Sequence, residues 1–454
     1  MAMRSLKLSI ISLLVPASIF LTALTSFAGI YNYMEVVVGE KAAGMGGAFT
    51  AVADDATATY YNPAGIIHIP FNSMSASANA MTFKTRKGKF FLSNKEELTS
   101  FDFIPNFWGV TASTSIGKIG LSIVVPESDN FELHEKYSNI SLLGFDWNTA
   151  RDDIIFESDT YMVGPSYAFS LLPGLSGGVS LYFIYNAFTE DGYNYWDTDY
   201  TDVSDGKNYS LLWENSAKKN GTGMGVTGKI GFLYKSDGWL TIGAVFRPPS
   251  QISEGVKVSQ VVYLSEISDD MTVVKNFMRG NAEGTVSYAR KLPFTTTVGI
   301  AVLPSERTTI SLDVSYFGPV EYKEKTITLD ENLDQVEAQR DVVLNEVING
   351  SLGIEYMLTP RIPLRAGLFT DISAAPEVLN VNAAQPTHID KYGLTLSSGY
   401  MQSNSTVTAG IKYGIGRGYG TAPDYSTDDI SFTFRKEQYI QTDISVFVSG
   451  TYMF

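Results

Sequence analysis

Asp197, Asp199, Asp202 and Asp205, the last followed by Gly206, bring acidic side chains together at spacings that suggest a calcium loop. Such a loop begun at Asp197 needs a series of oxygen ligands at 197, 199 and 201, glycine at 202 and glutamate at 208. This chain has Thr201, Asp202 and Asn208 instead. A solvated acidic stretch is the default, and no metal is expected. His68, His134 and His388 are far apart in sequence, and there are no cysteines. No Ser/His/Asp set stands at spacings that argue for a hydrolase, so neither an enzyme nor a cofactor is expected. The formal charge of −15 argues against nucleic acid, whose phosphates require a basic face.

Apolar rings are the more informative residues. Phe145, Trp147 and Phe156, with Ile154 and Ile155, stand in one polar stretch, and Tyr193, Tyr195, Trp196 and Trp213 stand in the next. Exposed clusters of this kind mark capture surfaces for hydrophobic ligands, while packing of one stretch against the other is the alternative.

The elements that must hold these residues read as a membrane barrel. Arg4 and Lys7 precede a mostly apolar run from Leu8 to Leu24, and Ser26-Phe27-Ala28 follows with the small residues of a cleavage site. Residues 1–28 are therefore expected to be a signal peptide. No later stretch approaches the roughly 18 apolar residues that a spanning helix needs. Near the C-terminus, Ile440, Thr442, Ile444, Val446, Val448, Gly450, Tyr452 and Phe454 share one face, opposite Gln441, Asp443, Ser445, Ser449, Thr451 and Met453. The same period of two recurs at Val179, Leu181, Phe183 and Tyr185, at Val226, Ile230, Phe232 and Tyr234, at Ile310, Leu312, Val314 and Tyr316, and at Val407, Ala409, Ile411 and Tyr413. A water-soluble sandwich also alternates, but the signal peptide favours a barrel in the outer membrane of a Gram-negative bacterium. So does the terminal Phe454, which resembles the signal read by the barrel-insertion machinery.

Turns rich in Pro, Gly and Asp at 172–174, 236–238, 304–306 and 359–361 suit the periplasmic side. Long polar connections at about 127–160, 188–222, 250–290, 321–348 and 372–391 suit the extracellular side. Roughly 12 to 16 strands fit the length. Three segments are expected: the signal peptide at 1–28, a plug at 29–70 and a barrel at 71–454. The plug follows from Gly44, Gly46, Gly47 and the alanines up to Ala58, side chains too small for a lipid-facing strand but small enough to fit inside a lumen.

The stretch GMGGAFTAVADDATATYYNPAGI (44–66) resembles the N-terminal hatch of the FadL-type outer membrane transport proteins, the long-chain fatty acid transporters and toluene-uptake channels. Segments at 105–126, 164–185, 225–249, 292–316 and 363–377 resemble the same family in order. The resemblance implies an all-β antiparallel barrel of about 14 strands with a hatch inside, a monomer that takes up fatty acids, alkanes or aromatics passively. It also implies capture by extracellular aromatics, hatch movement, and lateral release past lipopolysaccharide through a kink in the third strand.

Carried onto this chain, the hatch residues are Gly46, Gly47, Asp54, Asp55, Asn62, Pro63 and Ala64, and the capture residues are Phe145, Trp147, Phe156, Tyr195 and Trp196. Pro105 and Asn106 take the lateral opening, where the third strand is expected and where a proline removes a ladder hydrogen bond. Asp54 and Asp55 either anchor the hatch on lumen-facing cations such as Arg365 or remain ordinary solvated acids. FadL-like relatives in protein secretion and assembly supply the alternative function.

Overall fold

The computed structural model describes residues 31–34, 36–88, 96–142, 145–202, 205–236, 238–330, 332–379, 385–424 and 433–454. The expected signal peptide lies outside the described residues. The chain first lays down β1 (Ser73–Gly88), β2 (Glu96–Thr114), β3 (Gly117–Leu142), β4 (Phe145–Leu172), β5 (Leu175–Thr201), β6 (Asn208–Lys235) and β7 (Leu240–Arg247). A hairpin of β8 (Ser250–Ser268) and β9 (Val274–Leu292) follows, before β10 (Thr295–Ser305) and β11 (Thr308–Phe317) resume the wall. A second hairpin, β12 (Val320–Leu329) and β13 (Gln335–Leu344), precedes β14 (Val347–Thr359), β15 (Ile362–Asp371), β16 (His388–Met401), β17 (Ser405–Asp424) and β18 (Thr433–Met453).

Without the two hairpins, 14 antiparallel strands form the wall, and β18 closes it by pairing back onto β1, Met453 opposite Ser73. Closure is what a bilayer demands, because it leaves no strand edge with unpaired N–H and C=O groups in hydrocarbon. The alternation read from the sequence sets the two faces. On β5, Val179, Leu181 and Phe183 point outward and Ser180 and Tyr182 inward; on β18, Ile444, Val448 and Tyr452 point outward and Ser445 and Ser449 inward. Along β4 the exposed apolar face runs from Tyr161 to Leu171, about the length a tilted strand needs to cross a bilayer.

The long connections differ from the sequence expectation. β3, β4, β5 and β6 run for 26, 28, 27 and 28 residues, so 127–160 and 188–222 are mostly paired strand rather than loop. The ladder continues through Phe131 opposite Phe156 and Trp196 opposite Trp213. Likewise 250–290 is the β8–β9 hairpin, and 321–348 holds β12–β13. The cause is a second apolar interior above the membrane, where Trp147, Trp196, Trp213, Val258, Leu264 and Leu329 pack together. Burial there keeps a period of two going in residues whose polarity alone reads as loop.

Candidate functional site

The N-terminal segment lies within this wall. A short helix (Glu40–Gly44), a helical turn (Ala58–Tyr61) and a 3-10 stretch (Pro63–His68) are joined by tight turns. Small residues let the segment's backbone approach the strands directly. Gly46 adopts φ +65°, and a Cβ there would stand 2.9 Å from the backbone N and O of Leu368; Gly47 adopts φ +89° beside Ser351. Asn62 is fully buried: its amide donates to Thr50 O (2.9 Å) and to Phe232 O in the wall (3.1 Å), and its Oδ1 accepts from the Ala64 N–H at the start of the 3-10 stretch. Pro63 sits at the first turn of that stretch, where a missing N–H costs nothing. Ser180 and Tyr182 of β5 both donate to Thr59 O.

The acidic pair does not meet Arg365. Asp54 pairs with Lys41 of the same segment (2.7 Å), Lys41 also reaches Glu355 (3.3 Å), and Glu355 receives Arg365 at 2.6 Å. Glu355 thus stands between Arg365 and the segment, and a lysine supplies the segment's contact with the wall. Asp55 instead accepts from the Thr57 N–H and hydroxyl in a local turn.

Among the described residues, two adjoining cavities stand out in the lumen. The upper is lined by Phe156, Phe188, Tyr31, Tyr33, Tyr288 and Tyr322, with Arg290 paired to Glu254 (2.8 Å) and Glu127 (3.8 Å). Arg340 pairs with Glu324 beside them, and Lys219 with Glu190 at 3.2 Å. Burial pushes the Glu190 and Glu254 carboxyls up, Lys219 and Arg290 only partly opposing it. At Glu324 burial acts in the same sense, but Arg340, Lys219 and Arg290 together outweigh it and hold the carboxyl below its ordinary range.

The lower cavity lies between the N-terminal segment and the wall, lined by Met34, Tyr60, Tyr61, Met162, Val245 and Phe317. Tyr33, Glu127, Leu292 and Pro293 line both cavities. Two cations enter the lower one. Lys229 donates to Tyr60 O (2.6 Å) with its ammonium 3.5 Å from the Tyr60 ring centroid, and Arg247 donates to Thr295 Oγ1 (3.0 Å). Among the described residues neither forms an ion pair. Sequence reasoning missed both, although their place on the polar face of alternating strands could have marked them.

A break in the wall reaches this cavity. β2 and β3 pair at Thr99–Glu132 and again from Phe107–Val124, with no ladder between. Pro126 lies in the unpaired part of β3 and lines the lower cavity. From inside, Val36 packs on Ile104 and Val125, and Asn106 donates to Val37 O (3.1 Å). Pro105 and Asn106 therefore lie beside the break but on the second strand, not the third. The segment from Glu96 through Thr114 is a single strand with a disturbed register.

The capture aromatics are separated. Trp147 (0% exposed) and Trp196 (4%) belong to the packed interior above the membrane, and the Trp196 Nε1–H donates to Asp152. Phe156 stacks on Phe131 and faces the upper cavity. Tyr195 lies on the opposite face of β5, in a shallow groove with Lys136 and Arg151. The Phe145 side chain lies outside the described residues.

The sequence profile of the outer membrane protein transport proteins (OMPP1/FadL/TodX) matches residues 19–439. No curated protein matches the sequence. Among solved structures the chain is similar to a Pseudomonas aeruginosa FadL homologue, at 12% identity and TM-score 0.59, with 93% of this chain and 100% of that one covered. It is also similar to the P. putida toluene transporter TodX, at 15% identity and TM-score 0.57 with 91% and 97% covered. A third is the Ralstonia pickettii toluene transporter TbuX, at 13% and 0.57 with 94% and 100% covered. At these identities the likeness shows the fold.

Proposed function

The chain belongs to the outer membrane protein transport protein family, transport channels rather than enzymes, and from that premise we propose that it takes up long-chain fatty acids. Uptake of hydrophobic molecules across the Gram-negative outer membrane is the family's activity. The observation that carries the finer reading is the lower cavity, where among the described residues Lys229 and Arg247 form no ion pair, although Glu127 and Asp313 stand with the aromatic and aliphatic side chains in its lining. Unpaired cations away from bulk water are costly. An anionic head group supplies the missing charge, while each methylene of its tail gains about 0.8 kcal/mol on leaving water. A neutral hydrocarbon satisfies the walls alone.

In this reading the N-terminal segment is the hatch. Residues 39–69 are held by Asp313, Asn62 and the Lys41–Glu355–Arg365 group, and Val36 and Val37 cover the β2–β3 break from inside. Withdrawal of that strip would join the lower cavity to the lipid, so that the tail leaves sideways between Ile104 and Val125 without being resolvated. Phe156 is the capture residue best placed to meet cargo, because it already faces the upper cavity.

Native mass spectrometry of the delipidated protein, titrated with oleate and with toluene, tests the assignment. One bound oleate, retained more strongly than toluene and weakened about ten-fold by Lys229→Gln, supports it. Equal retention of both ligands by the wild type and the variant contradicts it.

A further inference from the structure

We propose that a crevice at the roots of the two extramembrane hairpins is the mouth through which an elongated apolar cargo reaches the inner cavities. The proposal rests on the uptake reading above. Pro249, Gln251, Phe294, Pro319 and Val320 line the crevice together with Lys291, Leu292 and Pro293. The last three also wall the upper cavity, and Leu292 and Pro293 wall the lower. One layer of side chains thus separates the outside of the molecule from both internal spaces.

The wall is weak there for a reason legible in the backbone. Among the described residues β9 pairs with β8 alone and β12 with β13 alone, while β10 pairs with β7 and β11. Among the described residues no ladder joins the end of β9 to the start of β12, where a single backbone bond from the Gly318 N–H to Phe294 O (3.0 Å) crosses, and Pro249, Pro293 and Pro319 have no N–H with which to add another. Apart from that one bond, side chains close this stretch, and side chains can rotate aside at far lower cost than a ladder can open.

The alternative route, straight down from above, is filled. Trp147, Trp196 and Trp213 pack against Val258, Leu264 and Leu329, and beneath them Arg290 bridges Glu254 and Glu127 across the upper cavity. An alkyl chain descending that way would have to displace a close-packed core and then break buried ion pairs. The crevice avoids both. Its lip lies at the membrane boundary, where Phe294 packs near Phe246 and Tyr316 on the outer face. Aromatic girdles mark that level in outer-membrane barrels. An amphiphile arriving there keeps its head in water beside the exposed Lys291 while its tail enters over Leu292 and Pro293.

The absence of native cysteines makes the test clean. Gln251→Cys with Pro319→Cys places one thiol on each lip, and Lys291→Cys with Glu321→Cys is a second pair should the first not assemble. Intact cells carrying the protein are treated with a short bifunctional thiosulfonate, and initial uptake of labelled oleate is measured. Cross-linking is expected to slow uptake about ten-fold, reversibly on reduction, whereas the same reagent on Thr201→Cys with Asn208→Cys at the outer tip leaves it unchanged. Full-rate uptake with the lips joined overturns the proposal, as does equal slowing by the tip cross-link. Failure of the unmodified wild type to take up oleate would instead defeat the uptake reading, so the two failures are distinguishable.

Discussion

Asp313 of β11 receives the backbone of Thr50: its Oδ2 accepts from the Thr50 N–H at 2.8 Å and from the neighbouring Phe49 N–H at 3.0 Å. One wall carboxylate therefore satisfies two consecutive donors of the N-terminal segment. Asp313→Ala leaves both buried donors unmet and should loosen the segment by about 2–4 kcal/mol, since hydrogen bonds to a charged acceptor are the stronger kind. Hydrogen exchange at residues 48–53 should accelerate while the strands keep their protection. Unchanged exchange there would show that other contacts hold this stretch.

Gly46 tests the fit of the same segment sterically. Its positive φ and its 2.9 Å approach to Leu368 backbone atoms leave no room for a side chain, and the obstacle is backbone rather than a movable tip. Gly46→Ala should cost about 3 kcal/mol or more of seating energy. The expected readout is increased sensitivity of cells to bulky hydrophilic antibiotics. Gly350 meets nothing within 4 Å, so Gly350→Ala serves as the tolerated comparison.

Ligand selectivity should follow the cations of the lower cavity. Lys229→Gln or Arg247→Gln is expected to weaken oleate binding about ten-fold, roughly 1.4 kcal/mol, and to leave toluene binding within about two-fold. Lys229→Arg keeps the charge and should restore much of the oleate affinity. Parallel losses for both ligands would assign these residues to folding rather than to head-group recognition.

Trp147 is fully buried against Trp196, their rings 5.4 Å apart at 72°. Trp147→Ala should cost about 3–5 kcal/mol in the extramembrane part and expose β4 and β5 there to protease. The membrane-embedded wall, with its own ladders, should keep its resistance to heat in detergent. Loss of that resistance would mean the two parts are one cooperative unit.

His134 supplies a pH dependence outside the membrane. It lies 2.8 Å from Asp153, whose hydrogen bond raises its pKa above 6.5 despite slight desolvation. A raised folded-state value means the contribution is fully present below about pH 6.5, the unfolded value, and is lost as pH rises through the folded one. Protease resistance of the β3–β4 hairpin should decline over that window in the wild type and be flat in His134→Ala. A decline of equal size in the variant would assign the pH dependence to other groups.

The barrel was legible because lipid enforces strict rules on sequence. Val179, Leu181 and Phe183 against Ser180 and Tyr182 can be read without coordinates, and so can the C-terminal strand. Above the membrane the same period persists in residues such as Asn194 and Asn215, buried but hydrogen-bonded to each other, and polarity no longer reports the face. The extent of β3–β6 was therefore hidden. The segment's fit inside the lumen follows from Gly46 and Asn62, but its partners Asp313 and Glu355 are distant in sequence and carry no local mark. Pro105 stands on β2 rather than on the expected third strand, beside an unpaired stretch that β2 shares with Pro126 of β3.

Saturable uptake of labelled oleate by cells whose outer membrane carries this protein, compared with otherwise identical cells lacking it, tests the central claim most directly. The account predicts protein-dependent uptake that needs no energy source at the outer membrane and that falls when Lys229 is replaced by Gln. No gain over the control cells for either oleate or toluene, with the barrel shown to be folded and inserted, would contradict it.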